Sequence, residues 1–353
     1  MHQYLYRGLT RSISLDGDIS GNSPTVSVIV AARNEEQNIL RCISSLKELR
    51  YPEDKLEIFL INDRSDDSTL RIMQESTSGL SKFRVINSRD ILHTNLKGKA
   101  NAIDTAIELS RGEVIMLTDA DCTVPESWIT CTVRHFKKDV AMVCGFTLIE
   151  HDKSLFDKLQ CLDWIYLLTL ASASCGMGQI MSCIGNNLSF TRNAYEKAGG
   201  YSAIDFSVTE DLALMRKVNS LGEGSVIYPV DRGSLVMTAG CADIGELSSQ
   251  KRRWFRGGTG INALGYITGF ELYASAFMLL FGYFFLGVKL WLALSIAVYL
   301  SQIFLMSRTS IRMGMNHLFP LSPLFFIYLS VYGLLLPFSF VFGKKIKWKG
   351  RTF

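Results

Sequence analysis

Four apolar, β-branched runs alternate with helix-spaced segments in the first third of the chain, and this alternation restricts the fold more than any other feature. The runs are 26–32, 58–61, 83–86 and 114–118. Between them, 35–49 carries Ile39, Leu40, Ile43 and Leu46 at helical spacing, a second helix is expected to about Gln74, and 100–109 reads as a third. Asn34 is expected to cap the first helix, with Glu35 and Glu36 in its first turn. Such alternation predicts a parallel sheet with right-handed crossovers. The strand ends then share one rim, and three of them carry polar groups: Arg33-Asn34-Glu35, Asn62-Asp63 and Asp119-Ala120-Asp121. Open α/β sheets bind ligands at that rim. Carboxylates one residue apart suit Mg²⁺ or Mn²⁺ bridged to a diphosphate, although Asp-x-Asp by itself also marks an ordinary exposed turn. No Gly-x-Gly-x-x-Gly follows the first strand and no Gly-Lys-Ser/Thr loop occurs, which argues against dinucleotide-dehydrogenase and P-loop folds.

Four motifs, in order, carry a resemblance to the family 2 glycosyltransferases. Val28-Ile29-Val30-Ala31-Ala32-Arg33-Asn34-Glu35 is similar to the family's opening strand and loop. Asn62-Asp63-Arg64-Ser65-Asp66-Asp67-Ser68-Thr69 resembles its Asp-Asp-Gly-Ser-x-Asp-x-Thr loop, with Asn62 for the first Asp and Arg64 for Gly. Asp119-Ala120-Asp121 resembles the metal motif. Thr209-Glu210-Asp211, followed by Gln250-Lys251-Arg252-Arg253-Trp254, resembles the Thr-Glu-Asp and Gln-x-x-Arg-Trp pair of the membrane-associated branch. The resemblance covers residues 26–258 and continues into the apolar tail. It implies an α/β fold of the A-type nucleotide-diphospho-sugar transferase class, a Rossmann-like, mostly parallel sheet with C-terminal transmembrane helices.

The resemblance also implies roles. Ala32, Asn34, Glu35, Asp63, Lys99 and Asp119 would bind the donor, a nucleotide diphosphate sugar with UDP favoured. Asp63 would touch base or ribose, so the Asn62 change bears on nucleotide specificity rather than on the fold. Asp121, helped by Asp119, would hold Mg²⁺ or Mn²⁺, and a divalent metal facing the leaving diphosphate meets its developing charge. Asp211 would be the general base that takes the acceptor proton. Glu210, Gln250, Arg253, Trp254, Gly185, Asn186 and Asn187 would line the diphosphate and acceptor side. An arginine can fork onto phosphate oxygens and an indole offers a flat face to a sugar. Without the resemblance, Glu210 and Asp211 read as helix N-terminal acids, Lys99 as a solvated lysine, 250–256 as a basic membrane-surface segment, and 185–190 as a turn before a strand. One base, rather than a nucleophile plus a base, implies direct displacement with inversion.

The hydrophobic share of 48% and mean hydropathy of +0.18 are high for a soluble enzyme, and the excess lies at the end of the chain. Runs 271–288, 290–306 and 318–342 each approach the roughly 20 residues a spanning helix needs. Run 155–184 is also apolar but carries Asp157, Lys158 and Asp163, so an interfacial amphipathic helix is expected there. Residues 1–23 read as a polar segment with no signal peptide. The eight cysteines lack metal spacing or a disulfide framework, and the five histidines are scattered. The basic tail 344–353 abuts an apolar run and reads as a cytoplasmic anchor, not a nucleic-acid site.

The domains expected are therefore the segment 1–23, a catalytic domain over 24–258, a membrane region of two or three helices over 267–343, and the tail 344–353. A cytoplasmic catalytic domain and a cytoplasmic tail together require an even number of crossings. The expected function is inverting, metal-dependent transfer of a hexose from a nucleotide diphosphate sugar to a membrane lipid or lipid-linked acceptor at the cytoplasmic face of the cell membrane. A processive polysaccharide synthase is the alternative within the same chemistry, and a non-catalytic membrane scaffold on the same fold is the alternative of another class.

Overall fold

A computed structural model describes residues 2–15, 23–90, 96–152, 154–205, 207, 209–258, 262–341, 347–348 and 351–352. The chain begins with helix α1 (His2–Ile13). Then come β1 (Val26–Ala32), α2 (Ile39–Lys47), β2 (Leu56–Asn62), α3 (Thr69–Thr77), β3 (Phe83–Asn87), α4 (Lys99–Leu109) and β4 (Val114–Asp119). After β5 (Cys122–Thr123), α5 (Trp128–Val133), β6 (Val140–Cys144) and β7 (Thr147–Ile149) comes the long helix α6 (Leu155–Cys175). Next are β8 (Leu188–Thr191), α7 (Arg192–Lys197), α8 (Glu210–Leu221), β9 (Ser225–Ile227) and β10 (Val236–Thr238). The remainder is mostly helical: α9 (Ile244–Gly257), α10 (Ala263–Phe281), α11 (Tyr283–Leu286), α12 (Val288–Met313) and α13 (Ser322–Val341). Of the tail, Lys347–Trp348 and Arg351–Thr352 pair antiparallel, and the rest lies outside the described residues.

The chain divides into a sheet unit, Ile13–Leu148 with Cys183–Ala239, and a helical unit, Met1–Ser12 with Ile149–Ser182 and Gly240–Phe353. The main sheet has the order β3-β2-β1-β4-β8-β6-β9. Strands β1 to β4 pair in parallel, while β8 runs antiparallel to both its neighbours. This is the mixed but mainly parallel α/β sheet expected from the alternation. The near-continuous apolar sequence of β1 follows from burial on both faces. On one face Ile39, Ile43 and Leu46 of α2 are fully buried with Trp128 and Ile129 of α5, each such aliphatic side chain contributing about 1.5–3 kcal/mol.

Register decides where the site lies. Ala32 pairs with Asn62, Ala31 with Asp119, and Asn62 with Asn87. The polar ends of β1, β2 and β4 are therefore level on one rim. Because β8 is antiparallel, its first residue, Leu188, pairs with Leu117, so the turn Gly185–Asn187 comes to that same rim.

Several expectations are corrected. Asn34 does not cap α2. It sits at φ +53° in the turn after β1, and Asn38 occupies the cap position, because the loop must first turn back across the rim. Residues 2–13 are not merely polar: they form a helix whose Leu5, Leu9 and Ser12 are buried, with Ser12 Oγ donating to the Ser172 carbonyl at 2.9 Å. The 155–184 segment is not an interfacial amphipathic helix. Helix α6 ends at Cys175 and is buried on almost every side from Leu159 to Ser174. The span 24–258 expected for the catalytic domain includes residues of both units, 149–182 and 240–258 grouping with the helices.

In that unit Asp163 is fully buried. It forms an ion pair with Lys251 of α9 and accepts a 2.6 Å hydrogen bond from the Tyr332 hydroxyl of α13. The Lys251 ammonium also lies 4.8 Å from the Trp254 ring centre and 5.1 Å from that of Tyr332. Helices Ala263–Phe281, Val288–Met313 and Asn316–Leu335 are long and apolar enough to cross a membrane.

Candidate active site

The loops after β1 and β2 are zipped together. Asn34 N donates to Ser65 Oγ at 3.1 Å, and Asp66 N to Asn34 Oδ1 at 2.9 Å. Glu35 N donates to Thr69 Oγ1 at 2.8 Å, and Glu36 N to Asp67 Oδ2 at 3.1 Å. The side chain of Asn34 is thus committed to the neighbouring loop, and Glu35 Oε2 accepts from Asn38 Nδ2 at 2.9 Å. Ala32 contributes its carbonyl, which accepts from Asp63 N at 2.8 Å. Asp63 is buried, with Oδ1 accepting from Ser88 Oγ at 3.2 Å.

The two departures from the family loop are accommodated locally. Asn62 Nδ2 donates to Asn87 Oδ1 at 2.8 Å while its Oδ1 accepts from Ser65 N at 3.1 Å, a donor–acceptor pair an aspartate cannot supply. Arg64 has φ +57°, the left-handed backbone that glycine adopts freely, so the turn keeps its shape with a less permissive residue.

Lys99, the first residue of α4, places its ammonium 2.5 Å from Asp119 Oδ1 and 3.6 Å from Glu210 Oε1. Burial works against this charge, but Asp119, with Glu210 and Asp211, outweighs it and holds the lysine above its ordinary range. Burial and the Asp119 charge push the Asp121 carboxyl above the usual carboxylate range. Two thiols pack against the pair: Cys122 Sγ donates to Asp121 Oδ1 at 3.4 Å and Cys42 Sγ to the Asp119 carbonyl at 3.6 Å. Burial raises both thiols, so they stay protonated. Arg41 Nη2 donates to the Asp121 carbonyl at 2.9 Å. Among the described residues no group of three or more His, Cys, Asp or Glu side chains forms a metal cage.

Glu210 and Asp211 open α8, where helix N-terminal N–H groups favour carboxylates. Asp211 Oδ1 accepts from Leu212 N at 2.8 Å. A methyl group on Gly185 would lie 3.1 Å from Asp211 Cβ and 3.2 Å from its Oδ2, so glycine there admits the carboxylate to the turn. The Asn187 amide is engaged within the protein. Its Nδ2 donates to the carbonyls of Phe146 (2.7 Å) and Ser234 (2.9 Å), and its Oδ1 accepts from Trp128 Nε1 at 3.0 Å. Asn186 Oδ1 likewise accepts from Thr147 Oγ1 at 2.9 Å. Both asparagines staple the turn to its surroundings.

Lys99, Asp119, Asp121, Gly185, Glu210 and Asp211 are therefore gathered at the rim of the sheet unit, beside the loops holding Ala32, Asn34, Glu35 and Asp63. Gln250, Arg253 and Trp254 lie on α9 of the helical unit. That helix starts with a cap: Glu246 N donates to the side chain of the N-cap residue, Asp243 Oδ1, and Ala242 N donates to Glu246 Oε2, both at 2.8 Å. Trp254 packs edge-on against Trp164 at 5.5 Å, and Gln250 Oε1 is buried without a hydrogen-bond partner among the described residues.

The sequence model for glycosyl transferase family 2 matches residues 27–206, just over half of the chain. The chain belongs to that family. Among characterised relatives, a beta-monoglucosyldiacylglycerol synthase of Nostoc sp. is 27% identical over 243 residues, covering 68% of this chain and 50% of the relative. A poly-beta-1,6-N-acetyl-D-glucosamine synthase of Staphylococcus epidermidis is 28% identical over 235 residues, covering 66% and 54%. The chain thus spans about half the length of these relatives. In fold it is similar to a mannosyltransferase from Pyrobaculum calidifontis solved in complex with GDP-Man and Mn²⁺. That likeness has a TM-score of 0.63 at 16% identity and covers 98% of this chain and 94% of that one.

Proposed function

We propose that this family 2 chain transfers a hexose from a nucleotide diphosphate sugar to a membrane lipid or lipid-linked acceptor, with inversion and with a divalent metal. The observation that carries the reading is the rim constellation: Lys99 bridging Asp119 and Glu210, with Asp121 beside them and Asp211 seated against Gly185. Asp211 acts as the base. As the acceptor oxygen bonds to the anomeric carbon, its proton passes to the Asp211 carboxylate, and the electron pair of the breaking C–O bond leaves with the diphosphate. No second carboxylate is needed as a nucleophile, so the configuration inverts. Lys99 brings a fixed positive charge to the donor side, and Asp63 reads the nucleoside.

The residues fit a hard cation. Asp121 is a desolvated carboxylate beside a second one, an arrangement that favours taking up either a proton or a metal. Two neighbouring carboxylates suit Mg²⁺ or Mn²⁺, which are bound through one or two carboxylates and complete their shells with phosphate oxygens and water. Asp121, with Asp119, would hold it, and its chemistry there is neutralisation of the leaving diphosphate.

Three features support a lipid acceptor: the apolar helices, the basic segment on α9, and the diacylglycerol-directed name of the Nostoc relative. We place the catalytic unit in the cytoplasm, where nucleotide sugars are made. A cysteine at position 351 labelled only from outside would oppose the cytoplasmic tail that belongs to this topology. The Staphylococcus relative favours a second reading, processive polymer synthesis. Incubating membranes that contain the chain with a panel of labelled nucleotide sugars, then partitioning the product, separates the two. Label in the organic phase with one or a few sugars supports the glycolipid, and a long water-soluble polymer from donor alone supports the synthase.

A further inference from the structure

The histidines at 151 and 317 look unrelated in sequence but meet in the helical unit. Their Nε2 atoms are 3.1 Å apart, and their rings have centroids 5.1 Å apart at 33° to each other. His151 lies between β7 and α6, and His317 lies in the turn Asn316–Leu321 that joins α12 to α13. His317 is exposed and His151 half-buried, so the pair is open to solutes. We propose that this pair is a chelating site for one divalent transition-metal ion of the Cu²⁺, Ni²⁺ and Zn²⁺ class.

The geometry supports a chelate. Metal–imidazole bonds of about 2.0–2.1 Å bridging a 3.1 Å gap give an N–metal–N angle of roughly 95–100°, which lies between square-planar and tetrahedral values. The tautomer of His151 supports it as well. His151 Nδ1 faces the Ile149 carbonyl at 3.3 Å, and an N–H donated there leaves Nε2 unprotonated and able to bind an ion once the two rings, which now meet nearly head-on, tilt toward it. A backbone carbonyl on the far nitrogen is the usual device for fixing the tautomer of a metal-binding histidine. Without metal, His317 Nε2–H donates to His151 Nε2. With metal, His317 carries its N–H on Nδ1 and both Nε2 lone pairs bind the ion, so no net proton is released.

This site differs chemically from the carboxylate rim. Imidazole nitrogens suit Cu²⁺, Ni²⁺ and Zn²⁺, whereas carboxylates suit Mg²⁺ and Mn²⁺. Among the described residues no third His, Cys, Asp or Glu joins the pair. Affinity should then follow the general order, with Cu²⁺ tighter than Ni²⁺ or Zn²⁺. A bound ion ties the α12–α13 turn to the entry of α6 and stabilises the folded chain by mass action.

The test uses the tag-free full chain in detergent. One equivalent of Cu²⁺ should give an electron paramagnetic resonance spectrum with two coupled nitrogens, and Zn²⁺ should raise the melting temperature. His151→Ala and His317→Ala should each weaken Cu²⁺ binding by at least about tenfold and abolish the Zn²⁺ shift. His2→Ala, which removes a competing N-terminal ligand, and Asp211→Asn should leave both signals in place. A single coupled nitrogen in the unmodified chain, or undiminished binding in either the His151 or the His317 variant, overturns the proposal.

Discussion

Lys251→Met is the substitution whose effect the structure defines most sharply. Asp163 is completely buried and Lys251 is only 6% exposed at its side chain, so removing the ammonium strands a carboxylate away from water. Breaking a buried pair in this way costs about 3–5 kcal/mol. The stranded acid has one escape, which is to take up a proton. For an ordinary carboxylic acid that costs about 4 kcal/mol at pH 7 and about 2 kcal/mol at pH 5.5, which caps the loss. The deficit should therefore shrink on acidification, because a protonated carboxyl needs no cation. In Asp163→Asn combined with Lys251→Met the stranded charge is gone. Only the pair's own attraction and the contacts of Lys251 with Trp254 and Tyr332 are then lost, about 1–2 kcal/mol. Unfolding in detergent micelles at both pH values, for Lys251→Met and for the double variant, measures this. The reasoning fails if Lys251→Met is within about 1 kcal/mol of the unmodified chain at pH 7, or if the double variant is less stable than Lys251→Met alone.

Three further outcomes are expected. Gly185→Ala should displace Asp211 by a few tenths of an ångström, lowering transfer about tenfold or more with donor affinity unchanged, and an unaltered turnover number would contradict the contact. Excess chelator should stop transfer, Mg²⁺ or Mn²⁺ but not Zn²⁺ should restore it, and Asp121→Ala should be inactive; full activity under chelation would remove the metal from the account. Arg64→Gly should raise the stability of the sheet unit, and Arg64→Val should lower it, by about 1 kcal/mol each, since the position holds a left-handed backbone; equal melting of Val and Arg forms would show that the turn relaxes.

Much of this architecture was legible because it depends on local patterns. The runs 26–32 and 114–118 announce buried parallel strands, and register then forces Ala32, Asn62 and Asp119 to one edge. What escaped is set by partners far away in the chain. Asp163 made an apolar helix look amphipathic, because nothing near it shows that Lys251 and Tyr332 close over it. The anchoring role of Asn187 was invisible locally, because its three hydrogen bonds go to Phe146, Ser234 and Trp128, from three separate segments. Asn34 followed a helix-cap pattern, but a side chain in a tight turn can bind the neighbouring loop instead, here at Asp66. The one signal that could have revealed the buried pair was the occurrence of a single acid in the middle of an otherwise apolar stretch, since such charges require a partner.

The central claim is that Asp211 removes the acceptor proton at the rim of the sheet. The most direct measurement compares donor binding and sugar transfer in Asp211→Asn. The account predicts donor affinity within about threefold of the unmodified chain and transfer reduced by at least about 100-fold, the size of a general-base contribution. Transfer near the unmodified rate with the amide in place would contradict it.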